Sequence, residues 1–358
     1  MGAIKDILSG ELWKLRKYRI WKTFLMDYKK DPVNSIKTFK IHRKGFSKAD
    51  WEILELDKHN YRNYLTSKKY ADIHPINGYY SKIIDDKMVI KYIFSGTNLG
   101  KYMPEYYYLI DESGMLCPMM DLEKSKDLSL ENIYDLLCEK GKLAIKLVTG
   151  SIGKGFYKAE YRNGDVLIND EKITKQEFLA FLPHCRNYIV SEYLTAHPDI
   201  AEFWPYTANT IRYLAGRVDR EWRVIKSFIR FGSENTGIVE SFNRGGILCY
   251  INDDGVFDSG YILKHNGKNT YIETVTEHPQ THKTLKGKVP CWDQICKAAQ
   301  EIEAVFPQTK YLGLDFVVTD KSEVKLLEIN SLTSLDTMQL DKSILDTENG
   351  KWFFKGLL

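Results

Sequence analysis

A lysine, three glycines and a serine fall close together between Ile145 and Gly155. Lys146 stands near the end of an apolar run, and Gly150, Ser151, Gly153 and Gly155 follow it. Glycine lets backbone N–H groups approach phosphate oxygens closely, and a lysine adds a point charge. The order G-x-x-x-x-G-K-[ST] is absent, so this is not a Walker loop. A flexible hairpin with an exposed lysine would account for the same residues. A second group is Asp315 in Gly313-Leu314-Asp315-Phe316, with Glu328-Ile329-Asn330 downstream. Side chains alternate along a strand, so Glu328 and Asn330 share a face, and Asp315 on a neighbouring strand completes an oxygen-only set. Such a set suits Mg²⁺, which binds through one or two carboxylates plus substrate phosphates. An acid in an apolar strand is costly without a partner, so the alternative is a carboxylate paired to a lysine or arginine. The third group is Ser191-Glu192-Tyr193-Leu194, which is either an ordinary strand end or a hinge that reads adenine through its backbone, with Glu192 as a polar contact. Together the three groups fit one task, holding a nucleoside triphosphate with Mg²⁺.

The elements that must position these residues mix helices with antiparallel hairpins. Strands are expected over 105–111, 143–148, 155–161, 165–169 and 188–193, and again over 211–216, 223–231, 247–251, 311–318 and 324–329. Asn163-Gly164-Asp165 is a turn signal. Helices are expected over 82–92, 128–140, 174–181 and 292–306, the third capped by Thr174 with Glu177 completing a capping box. The class is therefore α+β rather than a doubly wound sheet.

The chain of 358 residues suggests two or three structural units. Its net charge of +3 is too small for a generic nucleic-acid binder, and no nucleic-acid partner is expected. No apolar run is long enough to span a bilayer, and the first residues lack the pattern of a signal peptide. The six cysteines form no C-x-x-C pair, which favours free thiols in a reducing cytoplasm. The eight histidines are scattered, and no histidine-based metal site is expected. Charge is unevenly spread, however: residues 1–70 hold 17 Lys and Arg against 8 Asp and Glu. Within them, residues 11–30 read as an amphipathic helix in which Leu12, Leu15, Ile20, Phe24 and Met26 stand among lysines and arginines, with Trp13 and Trp21 as interfacial anchors. That helix either docks on an anionic membrane or polymer or packs on its own domain with its lysines in water.

The order of these motifs resembles the ATP-grasp superfamily, and most of all the sugar-transfer-associated ATP-grasp proteins of bacterial surface-polysaccharide clusters. The resemblance runs from about residue 80 to 340. It is carried by Asp86-Lys87-Met88, Pro104, the lysine–glycine loop, Ser191 to Leu194, Asn209-Thr210-Ile211-Arg212, Arg230-Phe231-Gly232, Asn243-Arg244-Gly245-Gly246, Gly313-Leu314-Asp315 and Glu328-Ile329-Asn330. It implies an ATP-grasp fold, with a basic helical segment at 1–75, a preceding subdomain at 76–140, a lid at 141–195 and a C-terminal subdomain at 196–358. It also implies roles. Lys87 and Lys146 are the nucleotide lysines, Glu192, Tyr193 and Leu194 the adenine hinge, and Asp199 or Glu202 the ribose acid. Asp315, Glu328 and Asn330 hold Mg²⁺, while Arg212, Arg230 and Asn243 contact phosphate or acyl phosphate. Two features depart from the pattern. The loop reads Lys-Leu-Val-Thr-Gly where many relatives have Lys-Pro, and no arginine precedes Asp315 on its strand, which leaves Arg212 and Arg230 as the candidates for the catalytic arginine.

The implied reaction is ATP-dependent joining of a carboxylate to an amine through an acyl phosphate. Positioning and charge neutralisation do most of the work in such phosphoryl transfer. A kinase on the same fold and a non-catalytic nucleotide-binding module are the alternatives. The substrates implied are a sugar acid or amino acid and a glycan precursor. Trp204, Tyr206, Trp222 and Phe242 either stack on sugar rings or belong to the core. On these grounds Lys146→Ala or Asp315→Asn is expected to abolish ATP turnover and leave the fold intact.

Overall fold

The computed structural model describes residues 16–122, 128–149, 155–266 and 269–358. Two seven-stranded antiparallel sheets dominate it. The first is built from β1 (Tyr106–Ile110), β2 (Leu116–Pro118), β3 (Lys142–Leu147), β4 (Phe156–Arg162), β5 (Asp165–Ile168), β6 (Glu171–Ile173) and β7 (Tyr188–Glu192), in the order β2-β1-β7-β3-β4-β5-β6. One face is covered by the helices Glu131–Lys140 and Lys175–Phe181, whose Ile133, Leu137 and Phe178 pack on Leu143, Ile145, Ala159 and Val190. Each buried side chain of this size contributes roughly 1.5–3 kcal/mol. Because side chains alternate, covering Leu143 and Ile145 turns Ala144 and Lys146 to the opposite face.

The second sheet contains β8 (Ile211–Val218), β9 (Glu221–Phe231) and β10 (Ile247–Ile251). After the short pair β11 (Val256–Phe257) and β14 (Gly287–Lys288), which stands apart, it is completed by β12 (Gly260–Asn266), β13 (Asn269–Val275), β15 (Tyr311–Val318) and β16 (Val324–Asn330). The order is β13-β12-β10-β9-β8-β15-β16. Leu312, Leu314 and Phe316 of β15, with Ile211, Tyr213 and Ile229, pack on Ile295, Ala298, Ala299 and Ile302 of the helix Trp292–Val305. The opposite face therefore carries Arg212, Arg230 and Asp315 toward the first sheet. The chain crosses between the sheets at Tyr193 and Leu194, and an isolated bridge from Ala196 to Thr319 pins the crossing to the second sheet.

Several expectations need correction. The helix expected over 82–92 is two helices, Tyr80–Ile84 and Lys87–Ser95. Asp86 separates them because its carboxylate accepts from the Met88 and Val89 N–H groups at 2.9 and 3.1 Å, capping the second. The basic helix runs Arg16–Lys30 among the described residues; Leu12, Trp13 and Leu15 lie outside them. Ile20 and Phe24 are buried as expected, whereas Trp21, Leu25 and Met26 are exposed. The hairpin β12–β13 and the final helix Glu348–Lys355 have no counterpart in the sequence reading. All six cysteines are free.

Candidate active site

The two sheets enclose a cleft of about 510 Å³, a volume ordinary for a small-molecule site. The first sheet and its crossing supply Lys146, Glu192, Tyr193 and Leu194, and the second supplies Arg212, Arg230, Asp315, Glu328 and Asn330. Lys87 reaches in from the first turn of its helix, and Asn243 from the short 3-10 helix Phe242–Arg244 before β10. The registers explain the convergence. Asp315 lies directly opposite Arg212 on β8 and directly opposite Glu328 on β16, so three charged side chains share one row across three strands.

Asp315 is the centre of the arrangement and is only 2% exposed. Arg212 donates to it twice, Nε to Oδ1 at 2.5 Å and Nη2 to Oδ2 at 2.8 Å, and its Nη1 donates to Thr333 Oγ1 at 3.0 Å. Arg230 Nη2 lies 3.2 Å from Asp315 Oδ2 and donates to Thr210 Oγ1 at 2.5 Å. Asn330 Nδ2 bridges Asp315 and Glu328 at 3.3 and 3.2 Å. Burial alone would raise the Asp315 carboxyl, but the two guanidinium groups outweigh it and hold it at about 2.

Across the cleft the charge is positive. Lys87 Nζ sits 2.8 Å from Glu328 Oε2. Lys146 and Lys91 lie 4.9 and 5.1 Å from the Tyr106 ring centre, and the ring's π face favours both cations. Lys91 is itself anchored to Asp121 and to the Pro104 carbonyl. Lys146 still touches the open cleft, yet desolvation and the neighbouring Lys87 bring its ammonium down to about 7. An anion arriving here restores the charged form. Nucleotide binding is therefore expected to take up protons above pH 7 and to weaken as pH rises further. Calorimetry in buffers of different ionisation enthalpy reads that uptake directly.

Asp315, Glu328 and Asn330 form a hard, oxygen-rich set with two carboxylates. Among the described residues, no group of three or more His, Cys, Asp or Glu gathers as a metal cage. Two carboxylates beside a cationic pocket fit Mg²⁺ shared with phosphates better than an ion held by protein alone. His278 and His282, four residues apart, are not a metal pair: His278 Nε2 lies 3.0 Å from the Gly232 carbonyl, and His282 bonds Glu277 at 2.8 Å.

The remaining expected residues fall elsewhere. Gly150, Ser151 and Gly153 lie outside the described residues. Gly155 has φ of +66°, and a Cβ there would sit 2.6 Å from Tyr188 Oη and 2.7 Å from Leu147 Cδ1, so the loop's return to β4 requires glycine. Asp199 and Glu202 are not brought to the cleft. Asp199 lies within the short helix Pro198–Ala201 with its side chain 73% exposed, and Glu202 just follows the helix and is paired with Lys283. Neither position is served by a strand that faces the cleft. Trp204 is buried, Tyr206 is exposed, and Phe242 is buried while lining the cleft.

Two features had no signal in the sequence. Glu240 lines the cleft, and burial pushes its carboxyl up, against the pull of Arg230 and a bond from Thr210. Gly313 stands two residues before Asp315 on the same face. A Cβ there would lie 3.0 Å from Thr333 Oγ1 and 3.2 Å from Arg212 Nη1. The glycine thus leaves room for Arg212, aimed from the neighbouring strand. Gly313→Ala is expected to shift Arg212 by a few tenths of an ångström and to cost roughly 1 kcal/mol of stability. Its effect on turnover should exceed its effect on the unfolding midpoint, as parallel thermal and kinetic measurements would show.

Three solved structures share a limited likeness with the chain. One is the ATP-grasp ligase PsnB complexed with a minimal precursor, 11% identical over 78% of this chain and 62% of that one, with a TM-score of 0.40. Another is D-alanyl-alanine synthetase A from Vibrio cholerae, 11% identical over 76% and 64%, TM-score 0.41. A third is N5-carboxyaminoimidazole synthase from Aspergillus clavatus in complex with ADP, 10% identical over 70% and 44%, TM-score 0.37. The chain spans less than two thirds of the length of each. No curated protein matches the sequence. The chain belongs to the sugar-transfer associated ATP-grasp family, whose sequence model matches residues 72–349.

Proposed function

We propose that the chain is an ATP-dependent ligase that joins a carboxylate to an amine through an acyl phosphate, acting on a sugar acid or glycan precursor in the cytoplasm. The observation that carries this reading is the meeting, in one cleft, of Lys87 and Lys146 with the Asp315, Glu328 and Asn330 set. Glu192, Tyr193 and Leu194 would border the adenine, at the point where the backbone leaves the first sheet. Asp315, Glu328 and Asn330 would hold Mg²⁺, which would neutralise phosphate charge. Residues 141–195 would act as a lid on the 196–358 subdomain.

Lys87 and Lys146 would bind the phosphates and keep them in line with the acceptor carboxylate. A carboxylate oxygen takes the γ-phosphoryl group and ADP leaves. The amine nitrogen then attacks the acyl carbon, and the bond from carbon to the phosphate oxygen breaks to release phosphate. Arg212 and Arg230 would stabilise charge on the transferring and departing phosphoryl group. Glu240, whose carboxyl is held up by burial, would accept the amine proton. Closure of the sheets would exclude water from the acyl phosphate.

The test is ADP release measured across uronic acids, amino acids and small amines, with product analysis. A ligase releases ADP and phosphate only when acid and amine are both present. A stable phosphate ester formed without an amine would overturn the reading in favour of a kinase.

A further inference from the structure

The described residues expose sixteen large hydrophobic side chains, and six of them fall between residues 21 and 39: Trp21, Leu25, Met26, Val33, Ile36 and Phe39. They are 40–89% exposed. Such density on two consecutive helices is not ordinary surface composition. Both helices are firmly seated. In Arg16–Lys30 the inward positions are Ile20, Phe24 and Asp27, and in Ser35–Arg43 they are Thr38 and Ile41. Phe24 stacks on His42 with ring centres 4.0 Å apart, and His42 Nε2 lies 3.0 Å from Asp27 Oδ2. The outward face of the second helix reads Ile36, Phe39, Lys40, Arg43, with helical spacing. On the first, Trp21 and Leu25 stand one turn apart beside Lys22, Lys29 and Lys30.

The charge on this face is predominantly positive; Asp57, paired with Lys37 at 3.2 Å, is an exposed acid beside the second helix. Residues 16–44 contain ten Lys and Arg and two acids, Asp27 and Asp31. Both acids are buried. Asp27 accepts from the Lys48 backbone N–H at 2.9 Å, and Asp31 from Lys48 Nζ at 2.5 Å and Asn34 Nδ2 at 2.9 Å. The fold has turned both of these acids inward and left lysines around apolar side chains outside. A second copy of the chain would bring like charges together on this face, whereas an anionic bilayer offers both negative headgroups and an apolar layer.

We infer that the helices Arg16–Lys30 and Ser35–Arg43 dock the protein peripherally on an anionic lipid surface, with Trp21, Leu25, Val33, Ile36 and Phe39 entering the interface and the lysines meeting the headgroups. Among the described residues no helix is long and apolar enough to cross a membrane, so the contact is interfacial. This inference does not rest on the ligase reading. Its readout involves neither nucleotide nor substrate.

The test is co-sedimentation of the full chain with phosphatidylcholine vesicles, with and without phosphatidylglycerol. Binding to the mixed vesicles alone is expected, and it should fall with added salt. The variant carrying Trp21→Ser, Leu25→Ser, Ile36→Ser and Phe39→Ser should bind at least roughly tenfold more weakly. So should the variant carrying Lys22→Gln, Lys29→Gln, Lys30→Gln and Lys40→Gln. Both should keep the wild-type unfolding midpoint and oligomeric state. Three outcomes would overturn the inference: no sedimentation with anionic vesicles, sedimentation unchanged by the serine substitutions, or serine substitutions that dissolve a dimer or lower the unfolding midpoint. The last would mean that another copy, or the chain itself, covers the face.

Discussion

Asp315→Asn is expected to destabilise the protein by about 3 kcal/mol, because one partner of a buried ionic network is removed while the others stay buried. From the sequence alone this change is expected to spare the fold. The structure alters that expectation: Arg212 would keep one acceptor, the amide oxygen, but its second N–H would face the amide NH2, and both guanidinium groups would lose their ionic partner. The unfolding midpoint should fall by several degrees, and ATP-dependent turnover should disappear. The pH profile identifies the cause. Asp315 is held at about 2, below its ordinary 3.8, so its contribution to stability is complete above pH 4 and fades as pH falls toward 2. The variant should therefore lose most stability at neutral pH and differ little from wild type in strong acid. Glu328→Gln separates function from folding, because Glu328 is more open to the cleft and the oxygen of the glutamine amide still accepts a hydrogen bond from Lys87 or Asn330. It should unfold like wild type and still lose turnover.

Lys146→Ala should reduce ATP-dependent turnover by about a hundredfold, the loss of one charged contact to a transferring phosphoryl group. Unlike Asp315, Lys146 makes no ion pair among the described residues. Removing it takes a desolvated ammonium away from Lys87 and should leave the unfolding midpoint unchanged or slightly raised. The variant should also lose most of the proton uptake that accompanies nucleotide binding above pH 7. A merely structural lysine would not produce that signature, so the two measurements together assign the residue.

Much of this cleft was legible in the sequence because its residues lie on strands whose alternation is clear. Glu328 and Asn330 read as one face of a strand, and on β16 both line the cleft. The Thr174–Glu177 capping box is likewise present as read. Local rules could not supply the pairings. Asp315 meets Arg212 across 103 residues, and only the register of β8 with β15 brings them together. Glu240 was invisible because a glutamate in a loop acquires its character only when the fold buries it. The hairpin β12–β13 was missed for the opposite reason: β13 is largely exposed and lacks the apolar alternation that marks a strand. Asp199 and Glu202 show the limit of spacing as a guide. They follow Tyr193 and Leu194 closely in the chain, yet the turn at Pro198 carries them to the surface.

The proposed reading requires Lys146 of the first sheet, Lys87 of its helix and the oxygen-bearing set of the second sheet to hold a single nucleotide with its metal ion. Calorimetric titration of the full chain with ATP, in Mg²⁺ and again in excess EDTA, addresses it most directly. One molar equivalent of ATP should bind in Mg²⁺, with affinity falling sharply in EDTA and in the Glu328→Gln variant. Absence of binding, or binding indifferent to both the metal and Glu328, would contradict the account.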